Sequence, residues 1–260
     1  RALVGLASPD ANPIARKAAI TALGRIGHRS VVDTIVPALD TLALAEPAAL
    51  ALLMLGDRRG VDFHARALTE GRTDLSGSPG EIVGRYGGPS HLLLLITASR
   101  QADDRGMGAL QGLGLLGDPR GVLPLLDALE SRDRKVAQVA SGALQILTGH
   151  GETVGEPGWK SRWNLWWEQH AGEFPEGVRH RDGTTWALGG LIQKMTHTDA
   201  WVRRTAYDEL VITSGHALPF DADGPWRTQQ AHLAAWRAWW QQARGELVPG
   251  RWYLDGQAVG

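Results

Sequence analysis

Glycine returns along this chain at a nearly fixed interval. It stands at positions 27, 56, 87, 117 and 149, in steps of 29, 31, 30 and 32 residues, and again at 215, 66 residues further on, about two intervals. Its flanks repeat as well. Leu55-Gly56-Asp57-Arg58-Arg59-Gly60-Val61, Tyr86-Gly87-Gly88-Pro89-Ser90-His91-Leu92 and Leu116-Gly117-Asp118-Pro119-Arg120-Gly121-Val122 share one pattern. Ile26-Gly27-His28-Arg29-Ser30-Val31 is the same pattern with one residue deleted, and Gly149-His150 and Gly215-His216 keep the glycine. A period near thirty restricts the chain to stacked copies of one small unit, each too small to bury an apolar face alone.

The residues around each glycine say what that unit is. Ala18, Ala19, Ala22, Leu23 and Ile26 precede the first corner at helical spacing, and Val122, Leu125, Leu126 and Leu129 follow the fourth at offsets 0, 3, 4 and 7. A helix that stops at a tight corner needs a left-handed residue just past its end, which glycine adopts without a Cβ penalty. Pro89 and Pro119 then fall at the start of the next helix, where a missing N–H does no harm. Alternating β-branched runs are scarce. Each unit therefore reads as two antiparallel helices joined by a short glycine turn.

A second signature recurs at helix starts. Asp133-Arg134-Lys135-Val136 leads to Ala140, Asp199-Ala200-Trp201-Val202-Arg203-Arg204 leads to Ala206, and Asp10 with Ile14, Arg16 and Ala18 is a looser version. Asp at such a position accepts from the unpaired N–H groups of the first turn and suits the positive end of the helix dipole. Together, the Asp-x-x-Val-Arg-x-x-Ala start and the Leu-Gly-Asp-Pro-Arg-Gly-Val corner resemble the HEAT repeat, in the short bacterial form called the PBS-lyase-type HEAT repeat. The likeness covers roughly 8–150 and again 185–216. It implies an all-α, right-handed α-solenoid of about six helical hairpins. It is specific for fold and unspecific for function.

Composition narrows the function classes. A charge of −1, from 27 basic and 28 acidic residues, gives no bulk attraction to nucleic acid or anionic membrane. With no cysteine there are no disulfides, thiolate metal sites or thiol nucleophile, which fits a reducing, cytoplasmic setting. The longest apolar run, Pro47 to Gly56, is about half of what a membrane helix needs. The chain opens at Arg1 and not at Met, so targeting is not read from it.

The search for chemistry returns little. Gly112-Leu113-Gly114-Leu115-Leu116-Gly117 matches the dinucleotide fingerprint in letters only. That motif needs a preceding strand and a helix N-terminus, whereas here a capped helical start precedes it and a repeat corner ends it, at the wrong end of the dipole for phosphate. The favoured role of Gly106, Gly108, Gly112 and Gly114 is close helix packing. The nine His are scattered, without the i, i+4 pair of a helical zinc site. His150 and His216 read as polar groups near helix C-termini, and a metal shared by His170 and His180 is disfavoured. Asp103-Asp104 reads as a cap and a solvated charge. No nucleophile elbow, P-loop or EF-hand loop is present. Basic clusters such as Arg132, Arg134 and Lys135 are interleaved with Asp133 and Glu130, as on an ion-paired surface. The expectation is a non-enzyme with no cofactor and no metal.

Tryptophan carries the remaining signal, 11 residues against three Phe and three Tyr. Trp163-Asn164-Leu165-Trp166-Trp167 and Trp236-Arg237-Ala238-Trp239-Trp240 hold six of them at i, i+3, i+4. Each follows a Gly-His corner and a loop, and each lies 16 residues before an Asp-Gly glycine, Gly183 or Gly256. The C-terminal half thus contains a duplicated loop–Trp-helix–tail module, spanning 159–183 and 226–256. One stripe per helix predicts buried spines, not exposed platforms. The predicted organisation is 1–150 as HEAT-like repeats and 151–260 as their continuation with two such insertions, in one continuous domain. This half is similar to HEAT-repeat proteins of high-GC bacteria such as myxobacteria.

The functional expectation is a protein–protein interaction scaffold or adaptor, its partner another protein held by the concave solenoid face or the C-terminal loops. Trp159, Arg179, His180, Trp186, Trp226, Arg251 and Trp252 are the candidate partner-binding residues. Small-molecule or chromophore handling of lyase-like type is the alternative that the resemblance allows, although no lyase residue carries over. A DNA-gripping HEAT protein is the third reading.

Overall fold

The computed structural model of the chain describes residues 2–101 and 103–260. Fourteen α-helices run through them: α1 Ala2–Leu6, α2 Pro13–Ile26, α3 Val32–Ile35, α4 Leu42–Met54, α5 Arg59–Glu70, α6 Pro79–Tyr86, α7 Leu92–Ser99, α8 Asp104–Leu116, α9 Val122–Leu129, α10 Arg134–Thr148, α11 Trp159–His170, α12 Leu188–Lys194, α13 Ala200–Ser214 and α14 Trp226–Ala243. Helix accounts for 66% of the chain, so the all-α class holds. Among the described residues, sheet is limited to two pairs of two-residue strands, β1 His180–Arg181 with β2 Thr184–Thr185, and β3 Tyr253–Leu254 with β4 Gln257–Ala258. No helix among the described residues is long and apolar enough to cross a membrane.

The glycine corners are where the spacing predicts them. Gly27, Gly117, Gly149 and Gly215 cap α2, α8, α10 and α13 at φ 79°, 70°, 70° and 66°, and Gly56 follows α4 at φ 72°. Gly87 is the exception. Its backbone is extended (φ −77°, ψ −175°), so what it requires there is space: a Cβ would lie 2.4 Å from the Val83 carbonyl. Pro89 and Pro119 open 3-10 turns ahead of α7 and α9. Asp133 and Asp199 accept from the N–H of Lys135 and Trp201 at 2.8 and 2.7 Å, and Asp103 accepts from Gly106 at 3.0 Å. At the first helix the cap is Asn12, not Asp10. Its side chain accepts from Ile14, and Pro13 supplies the preset first residue.

Two compact units are formed. The first comprises Arg1–His64, Leu188–Glu246 and Tyr253–Gln257, and the second Ala65–Ala187, Leu247–Trp252 and Ala258–Gly260. In the first, Ile20, Leu23, Ile35, Leu44 and Leu52 form a core, and α2 meets α4 closely enough that a Cβ on Gly24 would sit 2.6 Å from the Ala51 Cα. In the second, Val83, Leu95, Leu110, Leu113, Leu125, Leu144 and Trp163 belong to one cluster. The glycines of the false nucleotide motif explain its density. A Cβ on Gly84 of α6 would lie 2.1 Å from the Gly112 carbonyl of α8, one on Gly112 would lie 2.2 Å from the Gly80 carbonyl, and one on Gly114 would lie 2.5 Å from the Ala143 carbonyl of α10. They are helix-packing glycines.

Candidate functional site

Each tryptophan helix is built against a repeat helix in the same way. After the Gly215 corner the chain turns back along α13. Tyr207 donates to the Leu218 carbonyl at 3.1 Å, Arg203 to the Ala222 carbonyl at 2.9 Å, and Arg204 pairs with Asp223. Residue 218 thus meets residue 207, and residues 222 and 223 meet residues 203 and 204, nearer the start of α13. The loop therefore ends near the start of α13, and α14 sets out from that end, parallel to it. The Gln229 amide holds the loop from the other side, donating to the Asp221, Ala222 and Gly224 carbonyls at 3.0 to 3.1 Å.

The tryptophan stripes are buried at one end and wetted at the other. Trp163 and Trp236 have no exposed surface, whereas Trp166, Trp167, Trp239 and Trp240 are half-buried. The corner histidines, predicted as polar groups at helix ends, are ring partners. His150 stacks on Trp166 (4.6 Å, 3°), which stacks on His170 (4.6 Å, 10°), and His216 stacks on Trp239 (5.0 Å, 7°). His150 also reaches Glu152 at 3.1 Å. Burial pushes the Glu152 carboxyl up, but its hydrogen bonds with Arg162 and His150 outweigh that and hold it below its usual value. Leu218 stands at the same distance from His216, which has no such acid, and burial alone lowers the His216 pKa. Its folded-state pKa lies below its unfolded value, so the unfolded chain binds the extra proton between the two. Stability is expected to be full above about pH 6.5 and to fall as pH drops through that window. Urea unfolding from pH 7.5 to 5 checks this: His216→Phe should flatten the slope, and an unchanged slope would show that His216 is not its source.

The module tails are hairpins. Asp182-Gly183 and Asp255-Gly256 are left-handed pairs (φ 53° and 75°, 57° and 72°), the geometry of a two-residue type I′ turn. Each turn donates its N–H groups to the end of a repeat helix, Asp182 to Ile146 O (2.7 Å) and Gly183 to Leu147 O (3.2 Å), Asp255 to Ile212 O and Gly256 to Thr213 O (both 2.8 Å). Carbonyls orphaned at these helix ends are thereby satisfied. Arg29 pairs with Asp255, whose pKa burial raises against that cation.

This device claims most of the predicted partner-binding residues. Arg179, His180, Trp186 and Trp252 are buried, at 0%, 3%, 3% and 4% exposure. Arg179 donates to the Arg85 and Leu115 carbonyls at 3.0 and 3.1 Å, and Trp252 donates to Leu116 O at 2.7 Å. The Arg179 guanidinium lies 4.2 Å from the centre of the Trp186 ring. Cations and donors at helix C-termini face the negative dipole end and its free carbonyls, and that is the role of the Arg179 and Trp252 side chains. The Arg179 N–H also donates to the Gly250 carbonyl at 2.7 Å. The His180 pKa is lowered chiefly by burial. Trp159 is buried as the first residue of α11, and Trp226 is the first residue of α14, so neither belongs to a loop.

Trp226, 62% exposed, and the exposed Arg251 remain open to solvent. To them the structure adds Trp201, 68% exposed in the first turn of α13. The returning loop brings the starts of α13 and α14 to one end of the unit, with Trp201 in the first turn of α13 and Trp226 the first residue of α14. The signal for Trp201 was present in the sequence. It sits where the first module has Lys135, two residues past the capping Asp, at an outward position.

Helical hairpins with left-handed glycine corners and Asp-capped starts define a helical-repeat protein. Residues 15–41 and 107–131 match the family described as PBS lyase HEAT-like repeat, and these two regions support a HEAT-repeat protein. HEAT-like repeats generally mediate protein interactions. No curated protein matches the chain.

Proposed function

We propose that the chain is a protein-interaction scaffold whose partner seats on the Trp201–Trp226 end of the first unit. The observation that supports this reading is the exposure of two indoles on adjacent helix starts, in a chain that buries Trp163, Trp186, Trp236 and Trp252 almost completely. Exposed large apolar groups gathered at one place mark interaction surfaces, and tryptophan is the residue most enriched among those that dominate binding energy. The base under them is rigid, since the 221–224 loop is held by both Arg203 and Gln229. This reading keeps Trp226 from the sequence-based set and replaces the buried members with Trp201.

The test is affinity capture from the source organism with wild type and with Trp201→Ala/Trp226→Ala. A stoichiometric partner is expected with wild type, and recovery should fall at least about tenfold with the double variant, while the melting temperatures agree. Equal recovery by both would sink the reading.

A further inference from the structure

A second feature of the first unit has chemistry of its own. Between α12 and α14 lies an open cleft of about 360 Å³. Its floor is Gly189, Ile192 and the Trp240 ring, and its rim carries Arg237, Gln193 and Gln241. Gly189 makes the cleft possible, because a Cβ there would meet Trp240 Nε1 at 2.7 Å. Among the described residues the side chains of Arg237, Gln193 and Gln241 make no hydrogen bond or ion pair, so their polar heads are available. The two walls are also one-signed: α12 and α14 carry Lys194, Arg227 and Arg237 and not one Asp or Glu, in a chain whose net charge is −1.

The duplicated module supplies an internal comparison. Seventy-three residues before Arg237, Trp240 and Gln241 stand Asn164, Trp167 and Glu168. Both polar differences move the second copy toward positive charge. The first copy's Trp167 lies 5.5 Å from Phe174, and the residue 73 on from Phe174 is Leu247. Trp240 is left with Trp239 as its ring neighbour among the described residues. The second copy thus keeps the aromatic, loses its phenylalanine neighbour, adds a cation and removes a carboxylate.

We propose that this cleft binds a carboxylate presented beside an apolar side chain, in an acidic stretch of a partner polypeptide. The apolar group rests on Trp240 and Ile192, the carboxylate pairs with Arg237, and the Gln193 and Gln241 amides hydrogen-bond the peptide groups. That the ligand is a polypeptide rests on the interaction reading above; the preference for a carboxylate does not.

The full chain, 15N-labelled, is titrated while the Trp240 indole N–H is followed, identified by its loss in Trp240→Phe. Three probes are used: N-acetyl-leucine, its neutral isostere N-acetyl-leucinamide, and acetyl-Gly-Leu-Asp-Gly-amide. The Trp240 signal is expected to shift saturably with the carboxylate probes. N-acetyl-leucine should bind at least about fivefold tighter than the amide, and Arg237→Gln, an exposed substitution, should bring the two within about twofold. The blocked peptide should bind at least as tightly as N-acetyl-leucine. Equal affinity for acid and amide overturns the charge selection, a silent Trp240 overturns the site, and a peptide weaker than N-acetyl-leucine overturns the polypeptide source. Each failure is distinct from failure of the Trp201–Trp226 reading, which concerns the other end of α14 and different variants.

Discussion

Trp236→Ala is expected to destabilise the protein by about 3–5 kcal/mol, lowering the melting temperature by roughly 10 °C. The ring has no exposed surface, and Tyr207, His216 and Trp239 all meet it edge to face. Removing it forfeits the burial of an indole, opens a cavity and strips three aromatic neighbours of a shared partner. Trp239→Ala is expected to cost less, about 1–2 kcal/mol, since that ring is half-wet and loses mainly its stack on His216. The milder change to phenylalanine separates the two modules. The Trp163 indole donates to Ser141 Oγ at 3.3 Å, whereas the Trp236 Nε1, equally buried, has no hydrogen-bond acceptor among the described residues. Trp163→Phe therefore leaves a buried hydroxyl short of a partner, and Trp236→Phe leaves none. The first should cost about 1 kcal/mol more than the second. Chemical unfolding of the four variants measures both contrasts, and equal costs for the two phenylalanine variants would show that the Ser141 bond contributes nothing.

The second large effect belongs to the contact of α6 with α8. Gly84→Ala and Gly112→Ala each place a methyl about 2 Å from a facing backbone carbonyl, at 2.1 and 2.2 Å. Backbone cannot swing aside as a side chain can, so the helices must separate along their length. Each variant is expected to lose about 3 kcal/mol or more, at the upper end of overpacking costs. Gly142→Ala is the control. It lies inside α10 with nothing within 4 Å of its would-be Cβ, so the substitution should stabilise by about 0.5–1 kcal/mol through helix propensity alone. A destabilised Gly142→Ala, or a neutral Gly84→Ala, would remove steric contact as the explanation.

These contrasts show where a sequence can be read and where it cannot. The corners at Gly27, Gly117, Gly149 and Gly215 were legible because a left-handed cap depends on one residue and its immediate neighbours. The Asp133 and Asp199 caps were legible for the same reason. Asp10 misled because Asn12-Pro13, two residues on, is a stronger start. Arg179, His180, Trp186 and Trp252 looked like surface binders because polar and aromatic residues near loops usually face solvent. Arg179 and Trp252 donate to carbonyls of α6 and α8, dozens of residues away, and no local pattern encodes that pairing. The Asp-Gly turns did carry a local hairpin signal, but without strands of ordinary length beside them it was easy to pass over. The groove of Arg237 and Trp240 was half legible: the duplicated stripe was visible, but which copy borders a cleft depends on what α12 brings against it.

The hairpin turns have a consequence for the order in which the chain can be completed. An ideal repeat array binds each unit only to its neighbours, so it can assemble from one end as it is synthesised. Here the turn at Asp255 rests on Gly56: a Cβ on that glycine would lie 2.6 Å from the Asp255 side chain. The Gly56 corner is therefore finished by a segment that leaves the ribosome about two hundred residues after it. The first unit cannot close during translation until that segment has emerged. Nor can the Asp255 turn be removed without consequence elsewhere, as a repeat of an open array can: its loss would undo contacts at the Gly56 corner.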